Sequence, residues 1–222
     1  MALGINTESG GSADIIPIVK YDARAGRAVR IDRQNTGAGW SAEQTDITSG
    51  FKAVFDMENI ETGWINFNTG GAPDFRLVPL GTNPGPRPSQ GHREGFRLML
   101  KLSKESGGDV REFCSVAKVV IRGFDDLHNA YLEGLKANAG KLPVVALKST
   151  KPVVSGSGQT KSTNYQPVFE IVGWASRPAD LVFRPKSAGA PVAAPAPAAS
   201  PKPATVTPQT IAAAMADAED FG

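Results

Sequence analysis

Phe96-Arg97-Leu98-Met99-Leu100-Lys101-Leu102 reads as a strand, because Phe96, Leu98, Leu100 and Leu102 recur at every second position. They share one face, and Arg97 and Lys101 take the other. The period then changes. Over residues 110–139 apolar side chains fall at Phe113, Val116, Val119, Val120, Phe124, Leu127, Tyr131 and Leu135, mostly three or four apart. That spacing predicts an amphipathic helix, capped by Asp109, broken or kinked near Gly123 and stopped at Gly140.

Upstream, residues 27–33 alternate with Val29 and Ile31 on one face, residues 51–58 alternate through Phe51, Ala53, Phe55 and Met57, and residues 63–67 form a further short strand. Residues 70–91 carry Pro73, Pro79, Pro84, Pro86 and Pro88 and read as a long loop with some extended structure. Downstream, residues 142–147 and 167–174 read as strands separated by a Gly/Ser/Thr loop, and residues 181–183 close the domain. The sum is about five to six strands with a helix inserted before the last pair. The fold class is mainly β (α+β), and the simplest architecture is an OB-type antiparallel barrel over residues 14–185.

Both ends look different from this body. Residues 1–13 are polar and Gly/Ser-rich, the composition of a flexible arm. Residues 186–210 are rich in Pro and Ala and bury too little apolar surface to offset ordering, so a disordered linker is expected. Residues 211–222 form an acidic tip with Asp217, Glu219, Asp220 and the aromatic Phe221. Residues 1–186 hold 23 Lys+Arg against 19 Asp+Glu, and residues 187–222 hold one Lys against three acids. A basic body with a tethered acidic tip suits a polyanionic partner and a second, protein partner for the tip (Asp217, Glu219, Asp220, Phe221).

Chemistry is sparse. Residues 156–163 approximate a phosphate-binding loop, but Thr160 stands where the motif needs its second Gly. Cys114 and His128 are fourteen positions apart, roughly 20 Å along one straight helix, too far for a nucleophile and its base. His92 and His128 are the only histidines, so no His-rich metal site is expected. Nothing calls for a cofactor, and no catalysis is expected. Cys114 is the single cysteine, which excludes an internal disulfide and fits a reducing compartment. No basic leader and no membrane-length apolar run is present, so a cytoplasmic protein is expected.

What remains is basic residues interleaved with aromatics. Lys20, Arg24, Arg27, Arg30 and Arg33 place five cations in fourteen residues, flanked by Tyr21 and Trp40. Trp64 and Phe67 follow on a strand, then Arg87, Arg93, Arg97 and Lys101. Single-strand binding requires cations that track phosphates and aromatic faces on which bases stack. Trp64 is the preferred stacking residue, with Trp40 and Tyr21 behind it. The competing assignment for Trp64, Phe67 and Trp174 is the core, with the arginines a solvated face.

The stretches Tyr21-Asp22-Ala23-Arg24-Ala25-Gly26-Arg27, Gly63-Trp64-Ile65-Asn66-Phe67, Gly91-His92-Arg93-Glu94-Gly95-Phe96-Arg97, Gly140-Lys141-Leu142-Pro143 and Asn164-Tyr165-Gln166-Pro167-Val168-Phe169 occur in an order that resembles the single-stranded-DNA-binding proteins of tailed bacteriophages. The resemblance implies an OB fold, sequence-tolerant binding of single-stranded DNA during phage DNA replication or recombination in the host cytoplasm, and an acidic tail that recruits replication or recombination proteins. One departure concerns the tail, where Gly222 follows Phe221 and displaces the aromatic from the terminal carboxylate. A structural or assembly protein of a phage particle, an enzyme component with a swinging Pro/Ala arm, and a preference for RNA over DNA stay open at the level of sequence.

Overall fold

The computed structural model describes residues 16–35, 40–70 and 72–184, with the side chains of residues 34, 35 and 40 excepted. The expected arm, linker and acidic tip, with Asp217, Glu219, Asp220 and Phe221, lie outside the described residues, as does the Trp40 side chain.

Ten strands form one sheet: β1 (Ile18–Asp22), β2 (Arg27–Asn35), β3 (Trp40–Asp46), β4 (Lys52–Phe55), β5 (Glu61–Asn66), β6 (Asp74–Pro79), β7 (Arg93–Leu102), β8 (Val110–Ser115), β9 (Lys141–Ser155) and β10 (Ser162–Ser176). One α-helix, α1 (Lys118–Leu135), stands between β8 and β9. The strand order is β10-β9-β4-β7-β8-β1-β2-β3, with β5 joining β7 and β6. The fold is mainly β, its sheet curled into a half-barrel.

β7 is the hub. Its first half pairs with β5 (Arg97 opposite Glu61), its second half with β4 (Leu100 opposite Phe55), and its other edge with β8 (Leu98 opposite Phe113). Phe96, Leu98, Leu100 and Leu102 are buried on the concave face as the alternation predicts. They meet Phe51, Phe55, Phe113 and Phe124 there. The rings of Phe96 and Phe124 stack at 4.1 Å, which docks α1 onto the sheet.

The other face of β7 departs from expectation. Arg97 is 0% exposed and Met99 1%. Arg97 donates to Glu61 from β5 and, through Nε at 2.9 Å, to Glu112 from β8. Two small apolar clusters flank this triad. One is Ile65, Phe75 and Leu77, and the other is Met99, Leu142 and Leu181. Leu181 belongs to a strap anchored by Arg177, whose guanidinium grips the buried Asp56 carboxylate at 2.6 and 2.9 Å.

Four further differences have local causes. Residues 110–115 are strand β8, not the first turns of a helix, because they pair with β7 and bury both faces, Arg111 and Phe113 on one and Glu112 on the other. The helix starts one residue after Ala117 and runs through Gly123 unbroken. A Cβ at Gly123 would sit 2.4 Å from the Pro167 carbonyl, so glycine there permits close helix–sheet approach. The proline-rich stretch contains a full strand, β6, on the sheet's periphery, where prolines are tolerated. Strands β1 and β3 were also not anticipated, and the strand count rises to ten.

Arg97→Met alone should cost about 3–5 kcal/mol in urea unfolding, because it leaves two buried carboxylates without their cation. Replacing all three members by apolar residues of similar volume should recover most of that loss. Tyr21→Phe should leave stability unchanged or raise it, because the buried Tyr21 hydroxyl has no hydrogen-bond partner among the described residues. Burial, then the Asp22 charge, pushes the Tyr21 pKa up to about 12. The unfolded chain therefore ionises first as pH rises, and Tyr21 contributes a loss of stability between about pH 10 and 12. Tyr21→Phe should flatten that alkaline limb in thermal melts.

Candidate nucleic-acid interface

Among the described residues β1 and β8 are the one parallel pair, and they stay paired for two residues only: Ile18 opposite Glu112 and Val19 opposite Phe113. Beyond that point β8 runs on through Ser115 into α1. β1 turns back at Asp22, whose carboxylate accepts the N–H groups of Arg24 at 2.9 Å and Ala25 at 3.2 Å. Gly26 closes the turn at φ +68°, with the Tyr165 side chain 3.1 Å from where a Cβ would lie. Burial opposes ionisation of Asp22. These two N–H groups and the Lys20 and Arg27 charges outweigh it and hold the carboxyl below the usual range.

The divergence opens a groove of about 910 Å³. Phe67 and Phe75, from the β5–β6 hairpin, form its far wall. Lys20 from β1, Arg24 from the turn, Arg33 from β2 and Arg93 from the start of β7 all line it. All four are exposed, and none has an ion pair among the described residues. Phe67 is 44% exposed and meets Phe75 edge-on, with ring centroids 6.2 Å apart. Tyr21 also lines the groove but is 6% exposed, so its ring belongs to the core and offers no free stacking face.

Six of the residues singled out in the sequence therefore meet in one place, and six do not. Arg97 is interior and presents nothing to solvent. Arg27 pairs with Asp46 at 3.5 Å, and Arg30 with Asp32 at 2.8 Å. Arg87 is spent on its own loop, donating to the carbonyls of Ser89 and Gln90. Lys101 pairs with Asp180. Trp64 is half-buried and donates its indole Nε1–H to the Gly85 carbonyl at 3.0 Å, so it ties down the proline-rich loop. Phe75 and Asn164 were missed. Phe75 was legible in the alternation of Asp74-Phe75-Arg76-Leu77, which the neighbouring prolines masked.

Cys114 packs with Phe75 on the sheet face away from α1, while His128 belongs to α1 itself. His92 bonds Ser89 Oγ at 2.8 Å and Asp74 Oδ2 at 3.2 Å, within a turn closed by its own N–H to the Ser89 carbonyl, and so pins the loop to β6. Among the described residues no group of three or more His, Cys, Asp or Glu converges to hold a metal. No described helix is long and apolar enough to cross a membrane. No family model, no curated protein and no solved structure matches the chain.

Trp64→Phe keeps the ring and removes the indole donor. It should cost about 1 kcal/mol and increase proteolytic cleavage within residues 80–92. A collapse of the melting temperature would instead place the ring in the core.

Proposed function

We propose that this chain is a single-stranded-DNA-binding protein without enzymatic activity, that its domain is an OB-type barrel, and that it supports phage DNA replication or recombination. One observation carries the reading: four cations with no ion pair among the described residues share a single groove with one exposed aromatic ring. Cations without acidic partners are free to neutralise phosphates, and a ring with an open face stacks any base. Neither contact depends on sequence. Insertion of α1 in the chain between β8 and the β9–β10 hairpin supports the OB-type assignment. The acidic tip, with Asp217, Glu219, Asp220 and Phe221, is proposed to recruit replication or recombination proteins in the host cytoplasm.

The groove shifts the preferred stacking residue from Trp64 to Phe67. Phe67→Ala should weaken oligo-dT binding by about 1–3 kcal/mol and leave the melting temperature nearly intact. The log–log salt slope of binding should be about −3, roughly 0.7 per phosphate held by Lys20, Arg24, Arg33 and Arg93. Removing any one of these charges should lower the slope by about 0.7, whereas Arg87→Ala should leave it unchanged. Fluorescence anisotropy across a salt series measures all of this, and a flat response would sink the proposal.

A further inference from the structure

We infer that the cleft between α1 and the edge of β5 and β7 docks a short peptide of a partner protein, one in which an apolar anchor residue stands beside a lysine or arginine. The Phe96–Phe124 stack brings helix and sheet together, and next to it they part around a cavity of about 320 Å³. Its apolar walls come from Ile60, Leu80, Pro84, Ile121 and the two stacked rings. The outer wall is fixed before anything binds. Leu80 N–H donates to the Ile60 carbonyl at 2.9 Å, and the Trp64 indole holds Gly85 next to Pro84. Leu80 is nonetheless 48% exposed. A volume at the small end for a ligand site suits one anchoring side chain of a peptide better than a whole cofactor.

Charge chooses the peptide. Glu94 and Asp125 line the cleft, both are exposed, and neither has an ion pair or hydrogen bond among the described residues. Arg87 is committed to its loop carbonyls and Arg76 to Asp74 at 3.1 Å, and neither Arg93 nor Arg122, the cations nearest Glu94 and Asp125 in sequence, lines the cleft. Two uncompensated carboxylates beside an apolar cavity repel phosphate and attract a basic residue next to the anchor. Strand alternation sets the relation to the groove. Arg93 and Glu94 are consecutive on β7, so they point to opposite faces of the sheet, Arg93 into the basic groove and Glu94 into this cleft. A peptide here leaves a nucleic-acid strand in place.

The full chain, immobilised, is screened against a random dodecapeptide display library, and the consensus peptide is then titrated in solution. Enriched sequences should carry Lys or Arg within two positions of Leu, Ile, Met or Phe. Affinity for the consensus peptide should fall about tenfold in Glu94→Gln/Asp125→Asn, whose exposed sites leave the melt unchanged, and saturating oligo-dT should not displace the peptide. No enrichment, enrichment of acidic sequences, indifference to the double variant, or displacement by oligo-dT would each overturn the inference. It does not rest on the DNA-binding reading. If oligo-dT fails to bind, that reading falls while the peptide result stands.

Discussion

The ion triad of Arg97, Glu61 and Glu112 holds three adjacent strands through side chains on a face that a curled sheet would ordinarily turn to water. Arg97 lies directly opposite Glu61 across β5 and β7, and Glu112 lies one diagonal away on β8. A buried guanidinium is tolerable only where acceptors surround it, since the desolvation of an unpaired charge runs to several kcal/mol. The geometry therefore fixes the register of all three strands at once. A one-residue slip of β5 or β8 would turn its carboxylate to the other face and leave Arg97 buried and unpaired.

The groove follows from the same residue. The Glu112 N–H donates to the Pro17 carbonyl at 2.9 Å, and Ile18 sits opposite Glu112 at the start of the parallel pairing of β1 with β8. β1 is thus attached to β8 where Arg97 holds β8 in place, and it parts from β8 after Val19 while staying paired with β2 through Asp22. Asp22 and Gly26 impose the turn that carries β1 away. The opening is a consequence of where pairing stops; Lys20 and Arg24 line it from β1 and its turn, and Arg33 and Arg93 from β2 and the start of β7.

Much of this was legible in the sequence because it depends on period. The inward face of β7, the last hairpin and the helical character of residues 118–135 follow from local spacing, although α1 ends at Leu135, short of Gly140. The rest was hidden for physical reasons. Phe113 and Val116 sit three apart and mimic helical spacing, although the chain is extended through Ser115 and becomes helical only after Ala117. Arg97 and Lys101 look identical in an alternating strand. Only the third dimension shows that flanking apolar clusters bury the first, while the second reaches Asp180. Proline density concealed β6, and with it the wall that supports Phe67.

What sets Lys20, Arg24, Arg33 and Arg93 apart is that they line one groove, because unpaired cations such as Lys52, Lys104, Arg122 and Lys151 also stand elsewhere on the described surface. Other cations are paired. Arg27, Arg30, Arg76, Lys101, Arg111, Lys148 and Arg177 all have carboxylate partners. Surface pairs add little stability, so their absence in the groove costs the fold almost nothing. What it changes is the local field, because like charges gathered between low-dielectric walls sum to an attraction for anions that paired charges would cancel. Glu94, one residue from Arg93, escapes this cancellation by facing the other side of the sheet. The same alternation that builds the core thus separates a basic face from an acidic one across the thickness of a single strand.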